Sequence, residues 1–128
     1  MNYLHGLNDK QKDAVLHTHG PLLILAGAGA GKTKTVTHRI IHLIKEGIPG
    51  NQILAITFTN KAAKEMRERV IANLEKEGLQ EERPFVSTFH SLCVSILKEQ
   101  ALKVGATRHF TILDESDALS LIKDVLKE

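Results

Sequence analysis

The residues best suited to chemistry lie in a glycine-rich segment that follows an apolar run, LLILAGAGAGKT at residues 22–33. The segment has the spacing of a P-loop, G-x-x-x-x-G-K-[ST], with Ala26 in place of the first glycine. Glycines let such a loop curl with its N–H groups inward, and the N-terminus of the following helix completes a polyphosphate site. We expect Lys32 to contact the β- and γ-phosphates and Thr33 to ligate Mg²⁺. The predicted cradle consists of Ala26, Gly27, Ala28, Gly29, Ala30, Gly31, Lys32 and Thr33.

The elements around this loop predict an α/β fold, a parallel sheet with flanking helices. Apolar residues 22–25 indicate a buried parallel strand before the loop, and residues 32–46 a helix after it. Hydrophobic periodicity and breaker residues place the remaining elements. They are strands at 53–57, 85–88 and 110–113, and helices at 8–17, 60–76, 88–103 and 115–127. The helix at 32–46 carries Val36, Ile40, Ile41 and Ile44 on one face, and the helix at 60–76 carries Ala62, Ala63, Met66, Val70 and Leu74 inward.

Composition narrows the class of protein. The chain has 128 residues, enough for one compact domain, and it contains neither an apolar run of membrane-spanning length nor a signal peptide. We therefore predict no membrane association and a cytoplasmic location. The net charge of +2 is too small for a globally basic nucleic-acid binder, so such binding requires a local patch. The single cysteine, Cys93, excludes an internal disulfide and is predicted to lie in the core.

Two further patterns have a structural interpretation. His38 and His42 are spaced i, i+4, but no carboxylate or cysteine completes a metal site, so we predict two surface histidines. The segment ILDESD at 112–117 has the form of a Walker B motif, in which an aspartate holds Mg²⁺. Asp114 and Ser116 also serve well as N-caps of the last helix.

Four segments together resemble the motifs of superfamily 1 DNA helicases of the UvrD/Rep/PcrA type. They are LNDKQKDAV at 7–15, AGAGAGKT at 26–33, ILAITFTNKAAKEMRERV at 53–70 and VSTFHSLC at 86–93. The resemblance covers nearly the whole chain. It implies a RecA-like P-loop NTPase fold, with residues 1–108 as the first part of ATPase domain 1A and residues 109–128 as the start of a 1B insertion in a longer protein. In this family a segment similar to ILDESD occurs soon after the VSTFHSLC motif and the Asp-Glu motif comes much later, so the resemblance leads us to reject the Walker B assignment.

The resemblance also gives two residues a role at the nucleotide. Gln11 is similar to the glutamine that reads adenine, since a carboxamide offers a donor and an acceptor that match N6 and N7. Taken alone, Gln11 three residues after Asn8 only closes a capping box. Lys34 follows the P-loop threonine, where the family more often has arginine. We include Lys34 among the nucleotide contacts, although a lysine is a mobile point charge without the stacking surface of a guanidinium.

The resemblance further implies contacts with single-stranded DNA from two strand ends, the edge at which open α/β sheets bind ligands. A phenylalanine there stacks on a base, while threonine and asparagine donate to phosphates. Asn60 also suits the N-cap of the following helix. Phe89 is predicted to pack in the core. The expected DNA contacts are Phe58, Thr59, Asn60, Lys61, Thr88 and His90.

The predicted function is that of an ATP-dependent DNA helicase. The resemblance implies an enzyme that uses ATP and Mg²⁺, moves 3′ to 5′ on single-stranded DNA and unwinds duplex DNA, with a second RecA-like domain in the rest of the chain. We expect the 128-residue chain by itself to bind nucleotide weakly and to unwind nothing. Two alternatives stay open: a helicase–nuclease subunit of the RecB/AddA type, and a stand-alone P-loop nucleotide-binding module. A P-loop kinase is a third alternative, but it would need a lid arginine and an acceptor site, and we find neither in the sequence.

Overall fold

The computed structural model describes residues 2–27, 29 and 31–127, which form two compact units, one up to Phe89 and one from His90 onward. The helices and strands alternate as an α/β protein requires. In chain order they are α1 (Asp9–Leu16), α2 (Lys32–Lys45), β1 (Leu54–Thr57), α3 (Asn60–Lys76), β2 (Phe85–Thr88), α4 (Phe89–Glu99) and α5 (Glu115–Lys127). Short 3-10 turns lie at Gly50–Gln52 and Ala101–Val104.

The sheet of the first unit consists of β1 and β2, which are parallel and connected through α3. Their register pairs Leu54 with Phe85 at one end and Thr57 with Thr88 at the other. A parallel pair needs a crossover connection, and α3 provides it. The prediction of an α/β fold with a parallel sheet and flanking helices is confirmed for the described residues, with two strands in place of the larger number expected.

The predicted strand at 22–25 is wrong for this structure. These residues form no strand, and Leu23 and Leu25 are 81% and 88% exposed. The sheet of the described residues consists of β1 and β2, so no described strand pairs with the backbone of this segment. An apolar run shows that a segment favours burial, but a strand exists only where a partner strand lies beside it.

The core of the first unit lies between α2, α3 and the sheet. The helices contribute one apolar stripe each, as expected for helices that cover a sheet. Val36 and Met66 are only partly buried and Ala62 is exposed, so the predicted inward faces are correct at their centres and too wide at their edges. The buried cluster consists of Ile40, Ile41, Ile44, Ile53, Ala55, Val70, Leu74 and Val86.

The ends of several helices are fixed by local side-chain bonds. The Asn8 Oδ1 atom accepts from the Gln11 N–H at 2.8 Å, and the Gln11 Oε1 atom accepts from the Asn8 N–H at 2.9 Å, which confirms the capping box of α1. Asp114 caps α5 by accepting from the Asp117 N–H at 2.7 Å. That contact supports the rejection of the Walker B assignment. Ser116 lies inside α5 and is not the cap.

The second unit differs from its sequence prediction in three respects. The helix predicted at 88–103 is α4 followed by a 3-10 turn, and Gly105, with φ of 77°, ends it. No strand forms at 110–113, again because no partner strand lies beside it. Cys93 is exposed and not in the core, since none of the α4 residues, all of which are described, is buried.

His42 is also placed differently from its prediction. It is buried, with 6% exposure, and its Nδ1 lies 2.6 Å from the Tyr3 hydroxyl. The Lys45 ammonium lies 4.9 Å from the centre of the Tyr3 ring and forms an ion pair with Glu77 at 2.6 Å. These contacts hold the N-terminal segment against α2. Among the described residues, no helix is both long and apolar enough to cross a membrane.

Candidate nucleotide-binding site

The P-loop leads directly into α2. Gly31 is the residue that caps the helix, in the left-handed conformation with φ of 79°, and Lys32 and Thr33 are the first two helical residues. Gly29 is also left-handed, with φ of 78°. Both angles favour glycine, because a Cβ atom strains this conformation. Ala28 and Ala30, which belong to the predicted cradle, lie outside the described residues.

Gly31 is the point at which the loop, α1 and α2 meet. Its carbonyl oxygen accepts the Thr35 N–H and the Thr35 hydroxyl, each at 3.0 Å, and the Gln11 Nε2 at 3.5 Å. A Cβ atom added at Gly31 would lie 2.6 Å from that nitrogen of Gln11, whereas one added at Gly29 or Gly27 meets open space. The backbone angle favours glycine at position 31, and a Cβ atom there would displace the Gln11 amide from its present place.

The N-terminus of α2 has the charge distribution of an anion site. Its first turn contains no acidic residue and begins with Lys32, although the positive end of a helix dipole normally favours carboxylates. The Lys32 ammonium is exposed and has no ion-pair partner among the described residues. This arrangement leaves several positive groups together, and a phosphate satisfies them.

Gln11 carries a carboxamide that still has free hydrogen-bonding capacity. Its Oε1 accepts the Asn8 N–H, and its Nε2 donates to the Gly31 carbonyl. A carboxamide has two N–H groups and two lone pairs. One donor and one acceptor therefore stay available, so the capping role and a contact with a base are compatible.

Two basic side chains of α2 fix the segment that carries Gln11. The Lys34 Nζ donates to the Gly6 carbonyl at 2.8 Å. Arg39 donates to the carbonyl of Ala14 at 2.7 Å and also to that of His17, at the C-terminal end of α1. Sequence reasoning missed Arg39. The nucleotide contact expected of Lys34 stays a prediction, and in this structure its ammonium donates to the Gly6 carbonyl.

A cleft of about 210 Å³ lies between α1 and the P-loop. Its walls include three of the predicted nucleotide contacts together with the apolar side chains before the loop. A larger cavity of about 560 Å³, lined by Tyr3, Lys34 and Glu77 among others, shares no lining residue with this cleft. The cleft is lined by Asn8, Lys10, Gln11, Ala14, Ile24, Leu25, Ala26, Lys32 and Thr35.

The residues present fit a nucleotide with its magnesium ion. The Thr33 hydroxyl makes no hydrogen bond within the described part of the chain, so its oxygen is available as a ligand. Magnesium commonly takes one or two protein oxygens and completes its shell with phosphate and water. Among the described residues no group of three His, Cys, Asp or Glu side chains forms a metal site of its own.

The carboxyl end of β1 presents the first group of predicted DNA contacts. Phe58, Thr59, Asn60 and Lys61 are all exposed. Thr59 is the N-cap of α3, where its Oγ1 accepts the Ala62 N–H at 3.1 Å, so the cap lies one residue before the expected Asn60. Because a hydroxyl has one donor besides its lone pairs, Thr59 still has an O–H to donate.

The carboxyl end of β2 agrees with the prediction only in part. Thr88 is buried, with 5% exposure, so the geometry does not support the DNA contact expected of it. His90, the second residue of α4, is exposed. Phe89 was expected in the core but is 52% exposed, and its ring centre lies 5.5 Å from that of Phe58. The sequence does not give the register of β1 and β2. That register, which pairs Thr57 with Thr88, places the two rings together.

Comparison with known proteins shows a single consistent relationship. Residues 7–128 match the UvrD/REP helicase N-terminal domain. The chain is 53% identical over 125 residues to the ATP-dependent DNA helicase PcrA of Staphylococcus aureus, an alignment that covers 97% of this chain and 17% of that protein. It is 53% identical over 135 residues to the ATP-dependent DNA helicase PcrA of Bacillus subtilis, covering 100% of this chain and 18% of that protein. The chain thus spans about a sixth of the length of these relatives.

Proposed function

The chain belongs to the family of UvrD/REP helicase N-terminal domains, and on that premise we propose that it is the nucleotide-binding first part of an ATP-dependent DNA helicase. The observation that carries the proposal is the cleft where Gln11 of α1 and Lys32 of α2 both line the wall. Similar relatives bear the name ATP-dependent DNA helicase PcrA, which supports ATP and DNA as partners.

The proposed domain organisation follows the family. Residues 1–108 form the beginning of RecA-like ATPase domain 1A, and residues 109–128 begin the 1B insertion. In such a domain a neighbouring strand covers residues 22–25, whose leucines are exposed in this chain. We propose that a second RecA-like domain lies in the remainder of a longer parent protein. The cytoplasmic location stays a prediction.

The nucleotide is held by charge and by backbone donors. Lys32 and the N–H groups at the start of α2 stabilise negative charge on the phosphates, and the hydroxyl of Thr33 binds the magnesium ion. When bound, Mg²⁺ neutralises charge on the β- and γ-phosphates during phosphoryl transfer. Gln11 uses its remaining donor and acceptor to recognise adenine, which favours ATP over GTP. The absence of a Cβ atom at Gly31 leaves room for the Gln11 amide beside the start of α2.

Single-stranded DNA binds at the carboxyl end of β1. Phe58 provides an aromatic surface, Thr59 and Asn60 provide hydrogen-bond donors, and Lys61 provides a positive charge. His90 stays a candidate DNA contact from the sequence. Thr88 is buried at the end of β2. Because few phosphates are contacted, we expect binding by the 128-residue chain to be weak, and we expect added salt to weaken it further because these contacts are ionic.

In the parent enzyme, closure of the second RecA-like domain on the nucleotide couples hydrolysis to movement along the strand. We propose 3′-to-5′ translocation on single-stranded DNA with unwinding of the duplex ahead. The 128-residue chain by itself binds nucleotide weakly and hydrolyses ATP at background rates.

The proposal is tested by equilibrium binding of a fluorescent ADP analogue in the presence of Mg²⁺. Lys32→Ala removes a charge-assisted contact with phosphate, and we expect affinity to fall roughly 10- to 100-fold. Lys64→Ala is the matched control, because Lys64 is an exposed lysine of α3 outside the cleft. Equal loss in both variants, or no loss in Lys32→Ala, would contradict the proposed site.

A further inference from the structure

Two phenylalanine rings meet at the carboxyl ends of β1 and β2. Thr57 and Thr88 are paired in the parallel register, so the next residue along each strand, Phe58 and Phe89, lies at the same edge of the sheet. The ring centres are 5.5 Å apart and the ring planes are inclined by 46°. This separation and tilt are those of a favourable aromatic pair.

The exposure of the two rings differs. Phe58 is 90% exposed, and Phe89 is 52% exposed. A ring as exposed as that of Phe58 has little to restrict its rotation except the ring beside it. The backbone on either side of Phe58 is already fixed, since the Thr57 Oγ1 donates to the Thr59 carbonyl at 3.2 Å and Thr59 caps α3. The remaining freedom is rotation of the side chain, and Phe89 is the aromatic partner that limits it.

We propose that Phe89 is a positioning residue for nucleic-acid binding: it holds the Phe58 ring in one orientation, with the outer face presented to a base of single-stranded DNA. The inference rests on the proposed DNA-binding function. Because the Phe58 ring is 90% exposed even with Phe89 beside it, most of its surface stays accessible to a base. Stacking on that face does not depend on base identity, because every base has a π-face.

Phe85 provides a matched control at the far end of β2, the strand that Phe89 directly follows. It lies opposite Leu54 and is 42% exposed. Truncating Phe85 removes the same kind of side chain from the start of this strand, away from the aromatic pair. A loss of DNA binding that is general to β2 would appear in Phe85→Ala and Phe89→Ala alike.

The test uses the 128-residue chain and two single-stranded oligonucleotides of equal length at low salt, one with normal bases and one with abasic sites throughout. We expect Phe58→Ala to weaken binding to the normal strand about tenfold. Phe89→Ala weakens it roughly 2- to 10-fold. Neither variant changes binding to the abasic strand, which offers phosphates but no base. Phe89→Leu keeps an apolar side chain without a ring and behaves like Phe89→Ala, whereas Phe89→Tyr restores binding.

Two further readouts separate positioning from general stability. In the Phe58→Ala background, Phe89→Ala has little additional effect, because the ring it positions is gone. A 2-aminopurine base in the oligonucleotide reports stacking directly, and its quenching by the wild-type chain is reduced in Phe89→Leu and unchanged in Phe85→Ala.

Each failure has a distinct meaning. Effects of Phe89→Ala that are equal on the normal and abasic strands, or that add to those of Phe58→Ala, overturn the positioning role while the DNA-binding proposal stands. Absence of binding by the wild-type chain to either oligonucleotide overturns the DNA-binding proposal and this inference with it.

Discussion

The side-chain nitrogen of Gln11 lies 3.5 Å from the carbonyl oxygen of Gly31 and occupies the space that a Cβ atom at Gly31 would need. Through this contact α1 meets the N-terminus of α2. The group that we expect to read the base therefore contacts the loop that we propose binds the phosphates. Displacement of either one changes both halves of the proposed nucleotide site.

The first prediction concerns Gly31. Gly31→Ala places a Cβ atom in the left-handed conformation and against Gln11, so we expect the free energy of unfolding to fall by more than about 1–2 kcal/mol. Gly29 has a similar backbone angle, but a Cβ atom there meets open space. We therefore expect Gly29→Ala to lower the free energy of unfolding only by the cost of the left-handed conformation. Urea denaturation of both variants gives the comparison. Equal losses would show that the approach of Gln11 to Gly31 contributes nothing.

The second prediction concerns Arg39, which donates to two carbonyls at the end of α1. Arg39→Ala leaves those carbonyls without their charged donor, and we expect a loss of about 1.5–3 kcal/mol in unfolding free energy. Nucleotide affinity also falls, because α1 carries Gln11. Arg69→Ala is the control, since the exposed Arg69–Glu65 pair contributes about 0–1 kcal/mol. An Arg39→Ala chain as stable as Arg69→Ala would refute this role.

The third prediction uses the single tyrosine of the chain. Burial raises the pKa of Tyr3, an effect that Lys45 opposes and that Glu46 and Glu77 reinforce. Because the folded-state pKa is above the unfolded value, the stabilisation is complete below about pH 10 and is lost as the pH rises through the folded pKa. Absorbance of tyrosinate at 295 nm should therefore titrate at higher pH in the native chain than in denaturant. Coincident curves would contradict the burial of Tyr3.

The fourth prediction concerns Cys93, the only thiol of the chain. Because Cys93 is exposed on α4, we expect it to react with a disulfide reagent in the native chain at close to the rate seen in denaturant. Protection that disappears only on unfolding would instead place it in a core, as its helical spacing with neighbouring apolar residues first indicated.

Sequence patterns identified those parts of the fold that depend on local chemistry. The helix at 60–76 begins and ends where predicted, and so does α5, because periodicity and caps lie within the helices themselves. The strand at 22–25 and the burial of Cys93 depend on partners distant in the chain. An apolar run or an apolar helical spacing indicates that a segment favours burial, but it does not identify the segment that it packs against.

The candidate site shows the same limit. The P-loop, Gln11 and Phe58 carry motifs that can be read from the sequence. The positions of Lys34, Thr88 and Phe89 could not be predicted, since they depend on which carbonyl, core or ring each side chain meets. Phe89 in particular follows from the register of β1 and β2, a relationship between residues 31 positions apart, as the pairing of Thr57 with Thr88 shows.

Gln11 and the P-loop are proposed to form one nucleotide site, and a single competition experiment tests that proposal. The measurement is displacement of a fluorescent ADP analogue by ATP and by GTP, with Mg²⁺, in the wild-type chain, Gln11→Ala and Asn8→Ala. Asn8→Ala removes the side-chain half of the same capping box. It keeps the Gln11 carboxamide and the hydrogen bond that this group accepts from the backbone N–H of residue 8.

We expect ATP to displace the analogue better than GTP by roughly tenfold in the wild-type chain and in Asn8→Ala, and equally well in Gln11→Ala. If the wild-type chain does not distinguish ATP from GTP, or if the Gln11→Ala chain keeps the preference for ATP, Gln11 does not recognise adenine and the proposed nucleotide site is wrong.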